Sequence, residues 1–397
     1  MYKSYSFVKP ALLSLLFTVF FACEKSSPDA QNPIPKEPET QEDIAEIDNL
    51  VTGLMTKYNI PGASLAIAKN EKLVYLKGLG VANTSTNEPM TSDHLLRIAS
   101  TSKAYTGLAI MKLQEQGLLN INDKVFGSGA LLGNKYGTKT YTEHIKNITV
   151  GQLLHNTSGA FVNANGYDLI NTNDNLSDNE YMNWLMDNSF TTTAPGEAYY
   201  YNNVNFFVAC MVVEELSGMS FIDFVKKEIL APIGDSETTI AMNSGNHPKE
   251  VTYYGQGNLV NNVYNFNIER YKGAGAMVSN ARSLLKFALA LDAKGGREDL
   301  LSSNLLATFR QVTPLQPNWA HGVGIWGNRT YMYGSLPGTR SGWMIEPSTG
   351  LSAAIIFNSN IDYTNASLNQ EFAFAVQDVL VDLITKNRAY KDIDQFK

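Results

Sequence analysis

The chain has 397 residues, a formal net charge of −7, and 44% hydrophobic against 17% charged residues. That balance excludes an intrinsically disordered chain and allows a sizeable core. An acidic surplus with no Lys/Arg block excludes nucleic acid as an expected partner. Two cysteines, Cys23 and Cys210, and five scattered histidines offer no metal-type spacing, so no metal and no other cofactor is expected.

The N-terminus has the layout of an export signal. Lys3 and Lys9 give a positive start, and Ala11 to Phe21 is an apolar run too short to span a bilayer. It ends in Val19-Phe20-Phe21-Ala22-Cys23, a small residue directly before a cysteine. This ending resembles a bacterial lipobox, with Cys23 as the lipidated residue; ordinary signal cleavage is the other reading. Residues 1–23 are thus read as a signal peptide ending in the lipobox cysteine. Residues 24–42, rich in Pro, Glu, Ser and Gln, are read as a flexible tether, and 43–392 as the working domain. The expected location is the cell envelope, with the membrane reached through the lipid. With Cys23 outside the domain there is no intrachain disulfide. Cys210, among Phe207, Val208, Met211 and Val212, is expected as a buried structural thiol.

In the domain, Asp43 has the character of a helix cap, and Ile44, Ile47, Leu50, Val51, Leu54 and Met55 follow at helical spacing up to Asn59-Ile60-Pro61-Gly62. Ala63 to Ala68 and Lys72 to Lys77 predict a hairpin turning around Asn70. Leu95 to Ala99 leads into a largely apolar helix that continues from Tyr105 to Gly117. Ile148 to Leu154 predicts another helix, closed by Thr157-Ser158-Gly159. Residues 160–180 are Asn/Asp-rich and predict a surface loop. Phe206 to Leu216 and Phe221 to Leu230 are helical patterns separated by Ser217-Gly218, and 240–272 reads as irregular or edge strands. Ser279 to Leu291 is an amphipathic helix. Tyr331 to Tyr333, Ser341 to Ile345 and Leu351 to Asn358 read as antiparallel strands, and Phe372 to Thr385 as a closing helix. Strands early and late with helices between predict an α+β fold. An antiparallel sheet is built from both chain ends, flanked by helices, with a helical subdomain inserted.

Three stretches carry candidate chemistry. Ser-x-x-Lys occurs as Ser6/Lys9, Ser100/Lys103 and Ser283/Lys286. The signal peptide removes the first, and the amphipathic helix around the third reads as scaffold. Ser100 and Lys103 open a buried helix and project to one side of it. A desolvated lysine can lose its own proton and then take the serine's. A helix start adds free N–H groups that suit an oxyanion. The second stretch is Pro195-Gly196-Glu197-Ala198-Tyr199-Tyr200-Tyr201-Asn202-Asn203. There a phenol with its pKa lowered by Lys⁺ can relay the proton, and an Asn amide can bond the lysine and a substrate amide. A Tyr-rich loop packed on the core is the other reading. The third is Met332-Tyr333-Gly334-Ser335-Leu336-Pro337-Gly338, an edge strand able to offer an N–H to an oxyanion, or a plain hairpin turn.

Together the three resemble the serine β-lactamase and penicillin-binding-protein superfamily, in its class C β-lactamase, D-alanyl-D-alanine carboxypeptidase and esterase branch. Arg-Ile-Ala-Ser-Thr-Ser-Lys matches its first motif on Ser100 and Lys103. Tyr201-Asn202-Asn203 matches its Tyr-x-Asn. Leu153 to Gly159, Gly275 to Asn280 and His321 to Trp326 resemble further segments over about 43–390. The resemblance implies a β-lactamase/transpeptidase-like fold. It also implies acyl transfer on an ester, amide or lactam carbonyl, with Ser100, Lys103 and Tyr201 catalytic, and Asn203, Gly334 and Ser335 at the substrate or oxyanion. The substrate expected is a small molecule or peptidoglycan-type peptide, and oligomeric state is left open.

The departure is Met332, which stands where the family has Lys or His. A thioether neither holds a substrate carboxylate nor tunes proton transfer. Arg329 and Arg340 are candidates for that charge, with ordinary surface arginine as the alternative for each. The rival function is a non-catalytic envelope protein that binds peptidoglycan fragments or a protein partner; Met332 favours it, and the intact Ser100, Lys103 and Tyr201 disfavour it. Gly322-x-Gly324-x-x-Gly327 spells a dinucleotide fingerprint with no helix after it, and no Gly-x-Ser-x-Gly elbow is present.

Overall fold

The computed structural model describes residues 44–396, apart from 261 and 363. The signal peptide, Cys23, the tether and the Asp43 cap lie outside the described residues. Packing continues past residue 392. The Asp394 carboxylate accepts from Leu73 N at 3.1 Å, and the Arg297 guanidinium lies 4.4 Å from the Phe396 ring.

The first helix, α1 (Ala45–Lys57), carries Glu46 and Asp48 in its first turn and Lys57 in its last, charges that suit the helix dipole. Strands β1 (Gly62–Lys69) and β2 (Lys72–Asn83) form the expected hairpin. Asn70 and Glu71 between them both take positive φ, as a primed two-residue turn requires. β2 runs six residues beyond Lys77, to Asn83, and there meets β3 (Glu88–Pro89). Four late strands complete the sheet: β4 (Gly324–Trp326), β5 (Arg329–Leu336), β6 (Thr339–Glu346) and β7 (Leu351–Phe357). The order is β3-β2-β1-β7-β6-β5-β4, and every neighbouring pair is antiparallel. The first strand therefore pairs with the last, Ala63 opposite Phe357 and Lys69 opposite Leu351. A sheet built from both chain ends is what the strand order in the sequence predicts.

Alternation along each strand divides the core in two. Leu65, Ile67, Ile355 and Phe357 face α1 and the closing helix α7 (Ala366–Thr385), where Phe372, Leu380 and Leu383 meet them. Ala66, Ala68, Ile356 and Trp343 face the other way. They pack in one cluster with residues of α2 (Ser102–Glu115), α5 (Asn203–Ser217) and α6 (Ala281–Leu289). β6 and β7 are buried along their whole length, as strands covered on both faces must be. α2 and α5 are apolar on nearly every side, so they sit inside the helical part. Cys210 on α5 is fully buried.

Two smaller helices complete the site's surroundings. α3 (Val150–Leu154) starts on a reciprocal Thr149/Gln152 capping box, and α4 (Asp178–Asn188) on a Ser177/Glu180 box. The stretch 160–180 is not a plain surface loop. Phe161, Val162, Leu169 and Ile170 are buried, and α4 begins before it ends. The Asn and Asp side chains that made it read as polar fold back on their own backbone. Asn163 Oδ1 accepts from Asn165 N and Tyr167 N, and Asp168 Oδ1 from Ile170 N, which turns the apolar residues inward. The Ser283/Lys286 pair is scaffold. Ser283 Oγ donates to Asp235 and Lys286 Nζ to the Gly234 carbonyl. After Gly324 comes a strand and not a helix, so the glycine-rich spelling there makes no phosphate cradle.

The cost of opening the α7 side of the core is testable. Leu380 is fully buried, whereas Phe374 on the same helix is 53% exposed. Leu380→Ala is expected to lower the unfolding free energy by about 2–5 kcal/mol in urea titration. Phe374→Ala is expected to change it by less than about 0.5 kcal/mol.

Candidate active site

Ser100 sits on a single 3₁₀ turn, Ala99–Thr101, that runs into α2. Ala99, just before it, is left-handed with φ 49°. For a residue with a Cβ this costs of the order of 1–3 kcal/mol and needs outside support. Hydroxyls supply it. Ser102 Oγ donates to Ala99 O at 2.7 Å, Ser341 Oγ to Ile98 O at 2.6 Å, and Thr339 Oγ1 to Arg97 O at 2.6 Å. Ser341 Oγ also lies 3.0 Å from Thr101 Oγ1. Two of these hydroxyls come from β6, so the sheet itself clamps the Ser100 turn.

Lys103 is fully buried, one helical turn on. Its Nζ lies 3.1 Å from Ser100 Oγ, 2.7 Å from Asn203 Oδ1 and 2.8 Å from Ala274 O. It also lies 4.7 Å from the Tyr201 ring centre and 5.4 Å from that of Phe206. Burial pulls its pKa from 10.5 down to about 7, against the opposing charge of Asp168. The partner set decides what the neutral amine does. Two partners are carbonyl oxygens that only accept, so they take its two N–H bonds. The lone pair is left for the one partner able to donate, the Ser100 hydroxyl.

Tyr201 leaves 37% of its surface open to the cleft while its ring packs edge-on to Trp319 at 5.7 Å. The expected fall in its pKa does not occur. Burial pushes the phenol upward, and a hydrogen bond with Ser100 opposes that only in part. With its pKa at about 7, Lys103 is only partly protonated at neutral pH and is no fixed cation beside the phenol. Tyr201 therefore keeps its proton, and the group placed to accept one from Ser100 is Lys103. Asn202 faces inward, caps α5 through Val204 N, and donates to the Ala160 and Phe161 carbonyls. Asn203 is the residue that reaches the lysine. Its Nδ2 and its backbone N both donate to Asp168 Oδ2, at 2.9 and 2.6 Å.

β5 closes the other wall. A Cβ on Gly334 would lie 2.2 Å from Ile98 O and 3.1 Å from Ala99 Cβ. Only glycine lets the strand approach the nucleophile turn this closely. Ser335 follows, with its Oγ accepting from Asn360 Nδ2 at 2.9 Å. β4 pairs only with Arg329 to Tyr331, so among the described residues β5 from Met332 onward has no strand on its outer edge. Ser100, Tyr201, Asn203, Gly334 and Ser335 all line one cleft of about 860 Å³. Its walls are aromatic, with Phe266, Tyr271, Trp319, Tyr331 and Tyr333, interspersed with the amides of Asn171, Asn262 and Asn265. Met332 also lines it, 3% exposed. Arg329 is committed to Glu346 at 2.6 Å. Arg340 lines the cleft, opposite Ser335 across the strand pair, and donates to Asn369 Oδ1 at 2.6 Å.

Sequence reasoning missed Asp168, the Ala274 carbonyl, Trp319 and the β6 hydroxyls. It also missed the reason for Gly322. With φ 95°, a Cβ there would meet the Lys103 carbonyl at 2.6 Å. The neighbouring His321 stacks on His155 at 3.9 Å between ring centres, and His155 Nε2 lies 3.0 Å from Gln311 O. His155 is the residue immediately before Asn156. The Asn156 Oδ1 accepts from Asn202 N and Asn205 Nδ2, and its carbonyl from Tyr200 N, so the histidine stack abuts the turn that carries Tyr201.

With this geometry in view, the likeness to known proteins is informative. A family model for beta-lactamase matches residues 47–377, and the chain belongs to that family. Protein flp of Staphylococcus aureus (strain MRSA252) is 29% identical over 215 residues, 54% of this chain and 42% of that protein. Penicillin-binding protein 4* of Bacillus subtilis (strain 168) is 29% identical over 232 residues, 57% of this chain and 47% of that protein. The matched part is under half the length of either relative. Among solved structures, the D-amino acid amidase of Ochrobactrum anthropi SV3 complexed with D-phenylalanine superposes with a TM-score of 0.68 at 20% identity. The match covers 85% of this chain and 99% of that one. The α+β, β-lactamase/transpeptidase-like fold expected from the motifs is the fold observed.

The histidine stack carries an acid-stability prediction. Burial, then the His155 charge, pulls His321 down to about 3, and burial lowers His155 too. Below the unfolded value of about 6.5 the unfolded chain binds protons that the folded chain refuses, so stability falls as pH drops from 6.5 toward 3. In urea titrations at pH 7 and pH 4.5, His321→Asn is expected to lose less stability between the two than wild type does. An equal loss in both would assign acid sensitivity to other groups.

Proposed function

We propose that this chain is a serine hydrolase working by acyl transfer through Ser100. The observation that carries the reading is the caged amine. Lys103 Nζ has two obligate acceptors and one hydroxyl around it, with a pKa of about 7. The neutral lysine takes the Ser100 proton as Oγ attacks an ester, amide or lactam carbonyl. The tetrahedral oxyanion is received by the backbone N–H groups of Ser100 and Ser335, at the start of α2 and on the open edge of β5. Tyr201, which keeps its proton, passes it to the leaving group and recovers one from Lys103. Water then hydrolyses the acyl-enzyme by the reverse path. Catalysis is thus assigned to Ser100, Lys103 and Tyr201, with Asn203, Gly334 and Ser335 shaping the substrate and oxyanion positions.

The substrate class follows from the walls. Met332 and the aromatic side chains occupy the region where a fixed lysine charge would favour anions. This supports small amides, esters or short peptides with an aromatic or apolar group over strongly anionic β-lactams. The D-phenylalanine held by the amidase relative in fold shares only the aromatic group. We also propose export, with Cys23 lipidated and the domain held in the cell envelope. The support for a lipid is the small residue Ala22 directly before Cys23 at the end of the apolar run; separately, among the described residues no helix is long and apolar enough to cross a membrane. Met332 is the observation that favours the rival, a non-catalytic binder of peptidoglycan fragments or a partner.

A fluorophosphonate probe separates the two. Wild type is expected to label at a rate that falls below about pH 7 as Lys103 gains its proton. Ser100→Ala is expected not to label, and Tyr201→Phe to turn over substrate about 10²–10⁴-fold more slowly. Absence of labelling, together with no hydrolysis of ester, D-amino acid amide, D-Ala-D-Ala peptide or penicillin, would leave the binding protein.

Arg340 has a separate test. With Arg329 held by Glu346, Arg340→Ala is expected to raise KM for carboxylate-bearing substrates about tenfold and leave neutral esters unchanged. An equal effect on both would make it a packing residue.

A further inference from the structure

We propose that Asp168 is a positioning residue for this site: its carboxylate holds the Asn203 amide so that Oδ1, and not Nδ2, faces Lys103 Nζ, and its charge governs how firmly the lysine keeps its proton. This rests on the acyl-transfer reading and adds a residue from the stretch 160–180.

The two ends of an asparagine amide have nearly the same size, so shape alone does not choose between them. At this position the choice is chemical. With Oδ1 toward Nζ, the amide accepts a lysine N–H and leaves the amine lone pair to Ser100. Flipped, Nδ2 would compete with the Ser100 hydroxyl for that lone pair, or oppose the ammonium donor to donor. Either outcome disables the base. Lys103 cannot enforce the choice by itself, because the neutral amine both donates and accepts.

Asp168 can enforce it. An ionised carboxylate only accepts, so it demands the Nδ2 end. Its Oδ2 receives both the side-chain and the backbone N–H of Asn203, and its Oδ1 receives Ile170 N at 2.9 Å. These N–H groups, together with Lys103, oppose the burial that raises the Asp168 pKa. The residue is also firmly held. Asp168 bridges to Val162, and Tyr181 Oη donates to the next carbonyl, Leu169 O, at 2.7 Å. The titratable and charged groups coupled to it are Lys103, Tyr201 and Tyr181, the last with the Arg270 guanidinium 3.7 Å from its ring centre. Lys103 is the one that a change at Asp168 moves with chemical effect. Burial pushes the Tyr181 phenol up from its ordinary value.

The test is Asp168→Asn in the full chain, which keeps shape and one acceptor and removes the charge and the enforced orientation. Two readouts are taken. The first is the titration of the Lys103 Cε resonance in protein carrying ¹³C-lysine, assigned by its loss in Lys103→Met. The midpoint is expected to fall by about one pH unit, because the lysine loses a favourable opposite charge. The second is the pH dependence of Ser100 labelling by fluorophosphonate, read as a rate constant of the fraction that labels, so that a loss of folded protein does not alter it. Its acid limb is expected to move down by the same amount. Its plateau is expected to fall about tenfold or more, with little change in KM for hydrolysed substrates. An unmoved lysine midpoint in Asp168→Asn overturns the proposal. If wild type does not label at all, the acyl-transfer reading fails, and the lysine titration still decides whether Asp168 controls Lys103.

Discussion

The site depends on one desolvated amine. Burial makes an ammonium at Lys103 costly, the Asp168 carboxylate offsets only part of that cost, and the pKa falls to about 7. Everything around it follows from that choice. Asn203 Oδ1 and Ala274 O accept its hydrogens, and Phe206 and Tyr201 lay rings beside it. Ser100 is left as the group that meets the lone pair. Tyr201 then has no fixed cation to depress its phenol, and burial keeps its proton in place.

A second constraint is steric. The nucleophile turn contains a left-handed alanine and lies against a strand that only glycine permits to come so near. Neither feature is stable alone. Ser341 and Thr339 of β6 hold the turn, and Gly334 of β5 lets the strand pair reach it. The hairpin β5–β6 is therefore both the wall of the cleft and the clamp on the serine. Replacing a cation by Met332 alters what the wall attracts and leaves the clamp intact.

Much of this was legible in the sequence because it is spelled locally. Ser100 and Lys103 are a helical turn apart, Tyr201 and Asn203 flank a helix cap, and Gly334 precedes Ser335 on a strand. Periodicity placed the hairpin and the two buried helices. What stayed illegible was set by long-range placement. Asp168 lies among many Asn and Asp residues, and nothing local marks the one whose carboxylate meets Asn203. The Ala274 carbonyl is backbone and carries no residue signal. The direction of the Tyr201 shift turned on burial, which outweighs the hydrogen bond with Ser100 and is invisible before folding. Likewise the polar stretch 160–180 concealed Phe161, Val162, Leu169 and Ile170, because its polar side chains serve its own turns.

The clamp also sets an order in time. Ser341 bonds to residues 240 and 243 positions earlier in the chain, at Thr101 and Ile98. During synthesis from the N-terminus, the segment bearing Ser100 emerges long before the strand that holds its turn. Contacts so distant in sequence form late and slowly. The left-handed turn at Ala99 has no hydroxyl from β6 until β5 and β6 have docked, and β6 docks between β5 and β7. A nascent or truncated chain thus carries the serine and the lysine without the β6 hydroxyls that hold their turn. The Ser100 turn is held on all its sides only once the sheet is complete.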